Sequence, residues 1–172
     1  MTRRRIAACL GAAMALQLFL LAGMVAGAAL PLWTGTEIRV ETVPVDPRSM
    51  FRGNYARLRY RLGTLPDDAL GDVSRLRRGE IVYVSLRRAD TGYHVFAAAS
   101  LERPSDGVFL RGRVVRGRSP YRLNYGIEAF FAPKERALRL EKHLRNGGTA
   151  ILMVTASGQA AIKDIVSPAG SE

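Results

Sequence analysis

The sequence predicts a mainly β protein of the α+β class, in which an N-terminal transmembrane helix precedes an antiparallel β-sandwich or partly open barrel with one or two short helices. Three observations predict this fold: one long apolar run, several short runs of alternating apolar and polar residues, and turn residues between those runs. The length of 172 residues supports one ordinary domain. A hydrophobic content of 48% is too high for a disordered chain.

The long apolar run covers residues 6–30 and contains one strongly polar side chain, Gln17. A hydrocarbon core of about 30 Å takes about 20 helical residues to cross. The run is therefore long enough to span a bilayer. Trp33 follows it and has the amphipathic ring that anchors helix ends at the membrane interface.

Three arginines at positions 3–5 precede the run and predict that the N-terminus stays in the cytoplasm. We accordingly predict a cytoplasmic basic tip and transmembrane anchor in residues 1–33, followed by a single extracytoplasmic β-rich domain in residues 34–172. Residues 32–35 are the predicted linker. Cleavage as a secretory signal is the alternative, because Ala26-Gly27-Ala28 is an A-x-A triplet. A signal core of about 7–15 residues is shorter than this run, which favours the uncleaved anchor.

Alternation is clearest in two runs of the predicted domain. Ile38 and Val40 alternate with charged residues in a predicted strand that ends at Pro44. A second strand has an apolar face and an arginine face, formed respectively by Ala56, Leu58, Tyr60 and Leu62 and by Arg57, Arg59 and Arg61. Further strands are predicted at residues 81–86, 93–100, 108–115, 123–131, 149–155 and 159–166.

Two segments have helical patterns. The first begins at Pro66, where a proline and two aspartates suit the first turn of a helix, and extends to about Leu76. The second covers residues 133–145, with apolar residues at helical spacing, and Gly147-Gly148 ends it. No internal repeat or second domain boundary interrupts the pattern.

The most distinctive local sequence covers residues 45–60, VDPRSMFRGNYARLRY. Its end resembles the signature of the GDYxxLxY family of bacterial membrane-anchored proteins, with Asn54 in place of the family's Asp; the matching residues are Gly53, Tyr55, Leu58 and Tyr60. The later segment 125–131, YGIEAFF, also resembles that family. The resemblance implies an envelope protein with one N-terminal membrane anchor and an extracytoplasmic domain. Together with the basic N-terminus, it leads us to predict a single-pass protein of a bacterial inner membrane with a periplasmic domain. The resemblance implies no particular activity.

The motif also has a structural interpretation. Gly53-Asn54 is a pair that favours a turn, and the strand that follows places Leu58 and Tyr60 in the core. We expect this structural role, or a binding role, for Gly53, Asn54, Tyr55, Leu58 and Tyr60. The arginine face, Arg57, Arg59 and Arg61, is a candidate anion-binding surface, because the domain keeps a charge of +8 after the three N-terminal arginines are subtracted from +11.

Catalytic and metal sites are not evident in the sequence. One cysteine and two histidines form neither a disulfide nor a zinc cluster, and we predict no metal and no cofactor. Glu128 lies in an apolar run, where a salt bridge to an arginine is expected and a ligand contact is the alternative. Ser49 near Gly53-Asn54 faintly resembles the serine region of bacterial signal peptidases, which use a Ser–Lys dyad, but the spacing and the lysine context do not match.

Two function classes follow. In the favoured one, the protein is a non-catalytic accessory or binding module, whose partners are the lipid bilayer and a polytopic membrane protein or an envelope ligand. In the other, it is an envelope hydrolase of the signal-peptidase-like, Ser-dependent kind. No nucleic-acid partner is expected, because no recognition motif is present.

Overall fold

The computed structural model describes residues 3–43, 55–71, 75–131 and 147–166. In these residues one long helix, α1, covers Arg3–Thr34, and a short 3-10 helix covers Arg61–Gly63. The strands are β1 Thr36–Val43, β2 Tyr55–Arg57, β3 Arg59–Tyr60, β4 Ile81–Arg88, β5 His94–Ser100, β6 Val108–Arg116, β7 Arg122–Asn124, β8 Ala129–Phe131, β9 Gly148–Val154 and β10 Ala160–Val166.

The strands form two four-stranded antiparallel sheets and one two-stranded pair. The first sheet has the order β10-β9-β1-β3, the second has the order β5-β4-β6-β7, and β2 pairs with β8. One hydrophobic core joins the sheets, and its most buried side chains include Ile38 and Val40 from the first and Val82 and Val84 from the second. The predicted fold class, mainly β and antiparallel behind an N-terminal helix, is confirmed.

Alternation correctly identified the buried face of β1. Ile38, Val40 and Thr42 are buried, and the residues between them are exposed. β1 is an inner strand of its sheet and pairs with β9 and β3. One of its faces therefore contacts the core while the other meets solvent, which is the arrangement that produces a two-residue period.

The predicted strand at residues 56–62 is interrupted at Leu58. Residues 55–57 form β2 and pair with β8, whereas Arg59 and Tyr60 form β3 and pair with β1. Because the chain changes pairing partner at Leu58, no single ladder covers the run. Leu58, Tyr60 and Leu62 are nevertheless all buried, as their alternation with the arginines predicted.

The predicted strand at residues 123–131 is likewise two strands, β7 and β8. Gly126 separates them with a φ of +82°, which bends the chain into a turn. A continuous strand across this segment was therefore the wrong prediction. The turn is also the part of the segment that carries the candidate site described below.

The described part of the predicted helix at Pro66 consists of turns. The N–H of Ala69 donates to the carbonyl of Pro66 at 3.2 Å, and the N–H of Gly71 donates to Asp68 at 3.1 Å. In the described residues these turns do not continue as a helix, and the N–H of Leu65, just before them, donates to the carbonyl of Tyr121 at 3.0 Å. The helix predicted at residues 133–145 lies outside the described residues.

Helix α1 is apolar and exposed. Its segment Ala8–Thr34 has a mean hydropathy of 2.1, and none of its most apolar stretch is buried in the protein. By length and composition it can cross a membrane. Trp33 at its end is 73% exposed, as expected for an interfacial ring.

The helix continues almost directly into the first sheet. The predicted linker at residues 32–35 is helical up to Thr34, so Gly35 alone separates α1 from β1. The N–H of Gly35 donates to the carbonyl of Pro31 at 2.9 Å. A β-carbon on Gly35 would collide with that same carbonyl oxygen and would lie 2.8 Å from the backbone nitrogen of Val154 in β9. Because of this close approach, no flexible linker separates the helix from the sheet.

Candidate functional site

The two segments that resemble the family signature meet in the structure. The Tyr60 hydroxyl donates to the carbonyl of Ile127 at 2.7 Å, and the Tyr125 hydroxyl donates to the carbonyl of Leu62 at 2.6 Å. Both hydrogen bonds are buried and join residues more than 60 positions apart in the sequence. Tyr60 of the first segment thus bonds to the backbone of the second, and Tyr125 of the second bonds to the backbone two residues after the first.

Backbone pairing reinforces this contact. The N–H of Leu58 donates to the carbonyl of Glu128 at 2.9 Å. Just before it, β2 and β8 align Tyr55 with Phe131 and Arg57 with Ala129. The first segment is therefore bonded to the second through backbone and side chains over most of its described length.

The Glu128 carboxylate closes the turn between β7 and β8. One oxygen accepts the N–H of Tyr125 at 2.6 Å, and the other accepts the N–H of Gly126 at 2.9 Å. The side-chain oxygen of Asn124 also accepts the N–H of Gly126, at 2.8 Å. Among the described residues, the structure thus gives Glu128 backbone amides as partners, and the salt bridge to an arginine stays a prediction.

Burial raises the pKa of both tyrosines, and the negative charge of Glu128 raises it further. A buried phenolate would lose its hydration, and it would also be repelled by the nearby carboxylate. Tyr60 and Tyr125 therefore remain protonated hydrogen-bond donors at neutral pH. They are unsuited to act as general bases there.

A cleft of about 390 Å³ opens beside this junction. We call it the motif cleft; it is lined by Leu58, Arg59, Tyr60, Gly63, Thr64, Val115, Arg122, Leu123, Asn124 and Glu128. An isolated bridge between Thr64 and Arg122 links the two sides of the cleft. The cleft therefore lies where the edge strands β3 and β7 of the two sheets approach each other.

The structure separates two of the three arginines that were predicted to form one anion-binding face. Arg59 lines the motif cleft, whereas Arg61 lines a different groove and its Nε lies 3.0 Å from a carboxylate oxygen of Glu41. Arg57 lies in β2, with its side chain outside the described residues, as does that of Tyr55. Gly53 and Asn54 also lie outside them. Anion binding by this set stays a prediction.

Sequence reasoning missed Arg122 as a site residue. Arg122 and Arg59 line the same cleft although they are distant in sequence, because β7 packs against the 3-10 helix and is bridged to Thr64. A signal was nonetheless present, because the segment around Tyr125 and Glu128 was the second one that resembled the family. A contact between those two segments could have been expected from that resemblance.

The groove that contains Arg61 is larger, about 660 Å³, and lies between β1 and β5. Its walls are tied by a 2.9 Å hydrogen bond between the Tyr93 and Thr149 hydroxyls. The backbone N–H of Arg39 donates to Nδ1 of His94 at 3.4 Å, and burial, together with the charge of Arg88, lowers the pKa of His94. A neutral imidazole that accepts a backbone hydrogen bond is the expected result.

Elements of the hydrolase alternative are distributed as follows. Ser49, Lys134 and Lys142 lie outside the described residues. Lys163 is in an ion pair, with its Nζ 2.7 Å from a carboxylate oxygen of Glu37. Within the described parts of the chain, no group of three His, Cys, Asp or Glu side chains is placed to hold a metal ion.

The fold and the site together define an N-terminally helical, two-sheet β protein in which Tyr60 and Tyr125 are bonded to backbone carbonyls. A family model described as GDYXXLXY protein matches residues 17–165, which is most of the chain. The protein belongs to the GDYXXLXY family. No curated protein and no solved structure matches the chain.

Proposed function

We propose that this protein is a non-catalytic binding module anchored in a bacterial inner membrane. Its N-terminus faces the cytoplasm, α1 crosses the bilayer, and the β domain lies in the periplasm. There the domain contacts an integral membrane partner or an envelope ligand.

The observation that carries the proposal is the direct junction between an exposed apolar helix and a folded β domain. α1 contacts β9 and β10 as well as continuing into β1, and Nε2 of Gln159 lies 3.5 Å from the carbonyl oxygen of Gly27. An exposed apolar helix in water would cost free energy over its whole length, and a bilayer removes that cost. Such a junction holds the domain beside the membrane, where integral proteins are accessible.

The bonding of Tyr60, Tyr125 and Glu128 also supports binding rather than catalysis. The hydroxyls of Tyr60 and Tyr125 are committed to backbone carbonyls, and both Glu128 oxygens are committed to backbone amides. Side chains that are occupied in this way shape a surface. A general acid or base, in contrast, needs a polar atom that can reach a substrate.

The topology is tested with a C-terminal alkaline phosphatase fusion and with carbonate washing of membranes. We expect an active fusion that stays in the membrane pellet, because three arginines hold the N-terminus in the cytoplasm. A matched fusion in which Arg3, Arg4 and Arg5 are replaced by Gln should lose part of this orientation. Release of a shortened soluble product from the parent would contradict an uncleaved anchor.

The binding role is tested by affinity purification of the tagged chain from detergent-solubilised membranes. We expect a stoichiometric polytopic partner or a defined envelope ligand. Two matched forms locate the contact: one replaces the helix before Gly35 with an unrelated transmembrane helix, and the other consists of the helix alone. Capture by the first form and not by the second is expected for a contact made by the β domain.

The hydrolase alternative predicts a different result. The chain would be recovered without a partner, would hydrolyse ester or peptide reporters, and would lose that activity in Ser49→Ala. We expect Ser49→Ala to retain whatever phenotype the parent restores in a deletion strain. Loss of function at normal protein levels would contradict the proposal.

A further inference from the structure

We propose that the motif cleft binds a phosphate group, held by Arg59 and Arg122. This inference rests on the proposed binding function and names the chemistry of the ligand. Both arginines are exposed and line the same cleft, on β3 and β7 respectively. Guanidinium groups bind phosphate oxygens through paired, charge-assisted hydrogen bonds, so two of them in one cleft form a suitable receptor.

The pairing of β6 with β7 places a further arginine opposite Arg122. Arg116 and Arg122 are direct cross-strand partners in this antiparallel pair, and both are exposed. Like charges directly opposite each other destabilise a sheet. A bound anion would reverse that cost, because it would replace the repulsion with two attractions.

In the part of the chain that the structure describes, Arg59 and Arg122 have no competing internal partner. Among the described residues, neither the Arg59 nor the Arg122 guanidinium has a hydrogen bond or an ion pair, whereas Arg61 on the neighbouring 3-10 helix is paired with Glu41. Glu128 also lines the cleft, but its two oxygens accept the amides of Tyr125 and Gly126. The cleft thus contains a carboxylate that does not occupy the arginines.

The charges at the cleft favour an anion of more than one negative charge. Arg59 and Arg122 contribute two positive charges to the lining and Glu128 contributes one negative charge. Arg116, opposite Arg122 in the β6–β7 pair, adds a third positive charge next to this lining. A phosphate monoester carries about −1.5 to −2 at neutral pH, so these cations attract it more strongly than they attract a carboxylate.

The test is calorimetric titration of the purified full chain in detergent with inorganic phosphate, at constant ionic strength. Titrations with sodium acetate and with sodium chloride are the controls for other anions. We expect saturable binding of phosphate in the parent and about tenfold weaker binding in Arg59→Gln and in Arg122→Gln, which is the loss expected for one charge-assisted hydrogen bond. Arg111→Gln, which removes an exposed arginine of β6 that does not line the cleft, should bind like the parent.

Folding of the variants is checked by thermal melts without phosphate. Arg122→Gln should melt at the parent temperature or above it, since it removes the like-charge pair with Arg116. Arg59→Gln provides a second variant on another strand, should Arg122→Gln fail to fold. Phosphate that binds the Arg59→Gln/Arg122→Gln double variant as well as the parent would overturn the inference, as would binding no stronger than that of acetate.

The source of the phosphate is distinguished in lipid nanodiscs. If the natural ligand is a lipid headgroup, discs of phosphatidylcholine with phosphatidate should block the binding of free phosphate, relative to discs of phosphatidylcholine alone. If the ligand is soluble, phosphate should bind equally in both; either result supports a phosphate site. A chain that binds phosphate but captures no partner or other envelope ligand would overturn the proposed function alone, and a captured partner without phosphate binding would overturn only this inference.

Discussion

The Tyr60 hydroxyl donates a buried hydrogen bond of 2.7 Å to the carbonyl oxygen of Ile127, a residue 67 positions further along the chain. Tyr125, two residues before Ile127, returns a bond of 2.6 Å to Leu62, two residues after Tyr60. The two bonds therefore form a reciprocal clasp between residues 60–62 and residues 125–127. They give Tyr60 and Tyr125 a structural reason to be tyrosine rather than phenylalanine.

Removing one hydroxyl from this clasp should destabilise the protein. Tyr60→Phe keeps the ring in the core but deprives the Ile127 carbonyl of its donor, and we expect a loss of about 1–3 kcal/mol in the free energy of unfolding. Thermal melts of the full chain in detergent measure it. Tyr83→Phe is the matched control, because Tyr83 is only half-buried and makes a ring contact with Phe109. Equal melting of the two variants would contradict the clasp.

Alkaline pH should unfold the protein through the same two tyrosines. The folded pKa of Tyr60 and Tyr125 is raised above the unfolded value of about 10, by burial and by Glu128. Their contribution to stability is complete below pH of about 10 and is lost as the pH rises above it, because only the unfolded chain can ionise them.

Phenolate absorbance during a pH titration measures this effect. The chain has six tyrosines, and Tyr60 and Tyr125 should ionise only together with loss of the circular dichroism of the native fold. In Tyr60→Phe, the number of late-ionising tyrosines should fall by one. Gradual ionisation of all the tyrosines, with native structure retained, would contradict the buried assignments.

Glu128→Gln should weaken the turn between β7 and β8. The carboxylate accepts two backbone N–H groups with two oxygens, whereas an amide presents one oxygen and one NH₂ group that cannot accept. We expect a loss of about 1–3 kcal/mol in the free energy of unfolding. Thermal melts beside Glu102→Gln, an exposed acid in the loop after β5, check it. A variant that melts like Glu102→Gln would show that the turn does not depend on the carboxylate.

Two glycines with the same backbone conformation should respond differently to alanine. Gly107 and Gly158 have φ of +82° and +79°, so alanine costs about 1–2 kcal/mol in backbone strain at either position. At Gly158 a β-carbon would also lie 2.7 Å from the ring of Phe109, whereas at Gly107 the space is open. Gly158→Ala should therefore lose a further 1–3 kcal/mol or so from overpacking. Melting curves that coincide would exclude this contact.

Local sequence predicted what depends on local exposure. Ile38 and Val40 alternate with exposed residues because β1 has one face on the core, and the parity of Leu58, Tyr60 and Leu62 was correct for the same reason. Turn residues were also expected between the runs, and Gly92, in the turn after β4, has a positive φ. These features follow from the period of a half-buried strand and from the φ preference of glycine.

The candidate site depends on pairings that no local pattern encodes. Parity placed Arg59 and Arg61 on one face, but the chain enters a 3-10 helix at Arg61 and directs the two arginines to different cavities. Arg122 reaches the cleft because β7 is the edge strand beside Thr64. The exchange of strand partners at Leu58 is likewise set by the whole sheet. The spacing of apolar residues along one strand does not determine which other strand it pairs with.

The one-residue junction at Gly35 fixes how far the β domain can lie from the end of α1. A flexible linker of 20 residues would have a root-mean-square end-to-end distance of about 25 Å, and a domain attached to it could vary its distance from the anchor by that amount. Here the helix and the first strand leave no such freedom, so, under the proposed anchoring, a tilt of α1 is also a tilt of the β domain. The motif cleft would then stay within a narrow range of distances from the bilayer surface. The protein would therefore bind only those partners or ligands that are present at this distance from the bilayer, whatever side chains line the cleft.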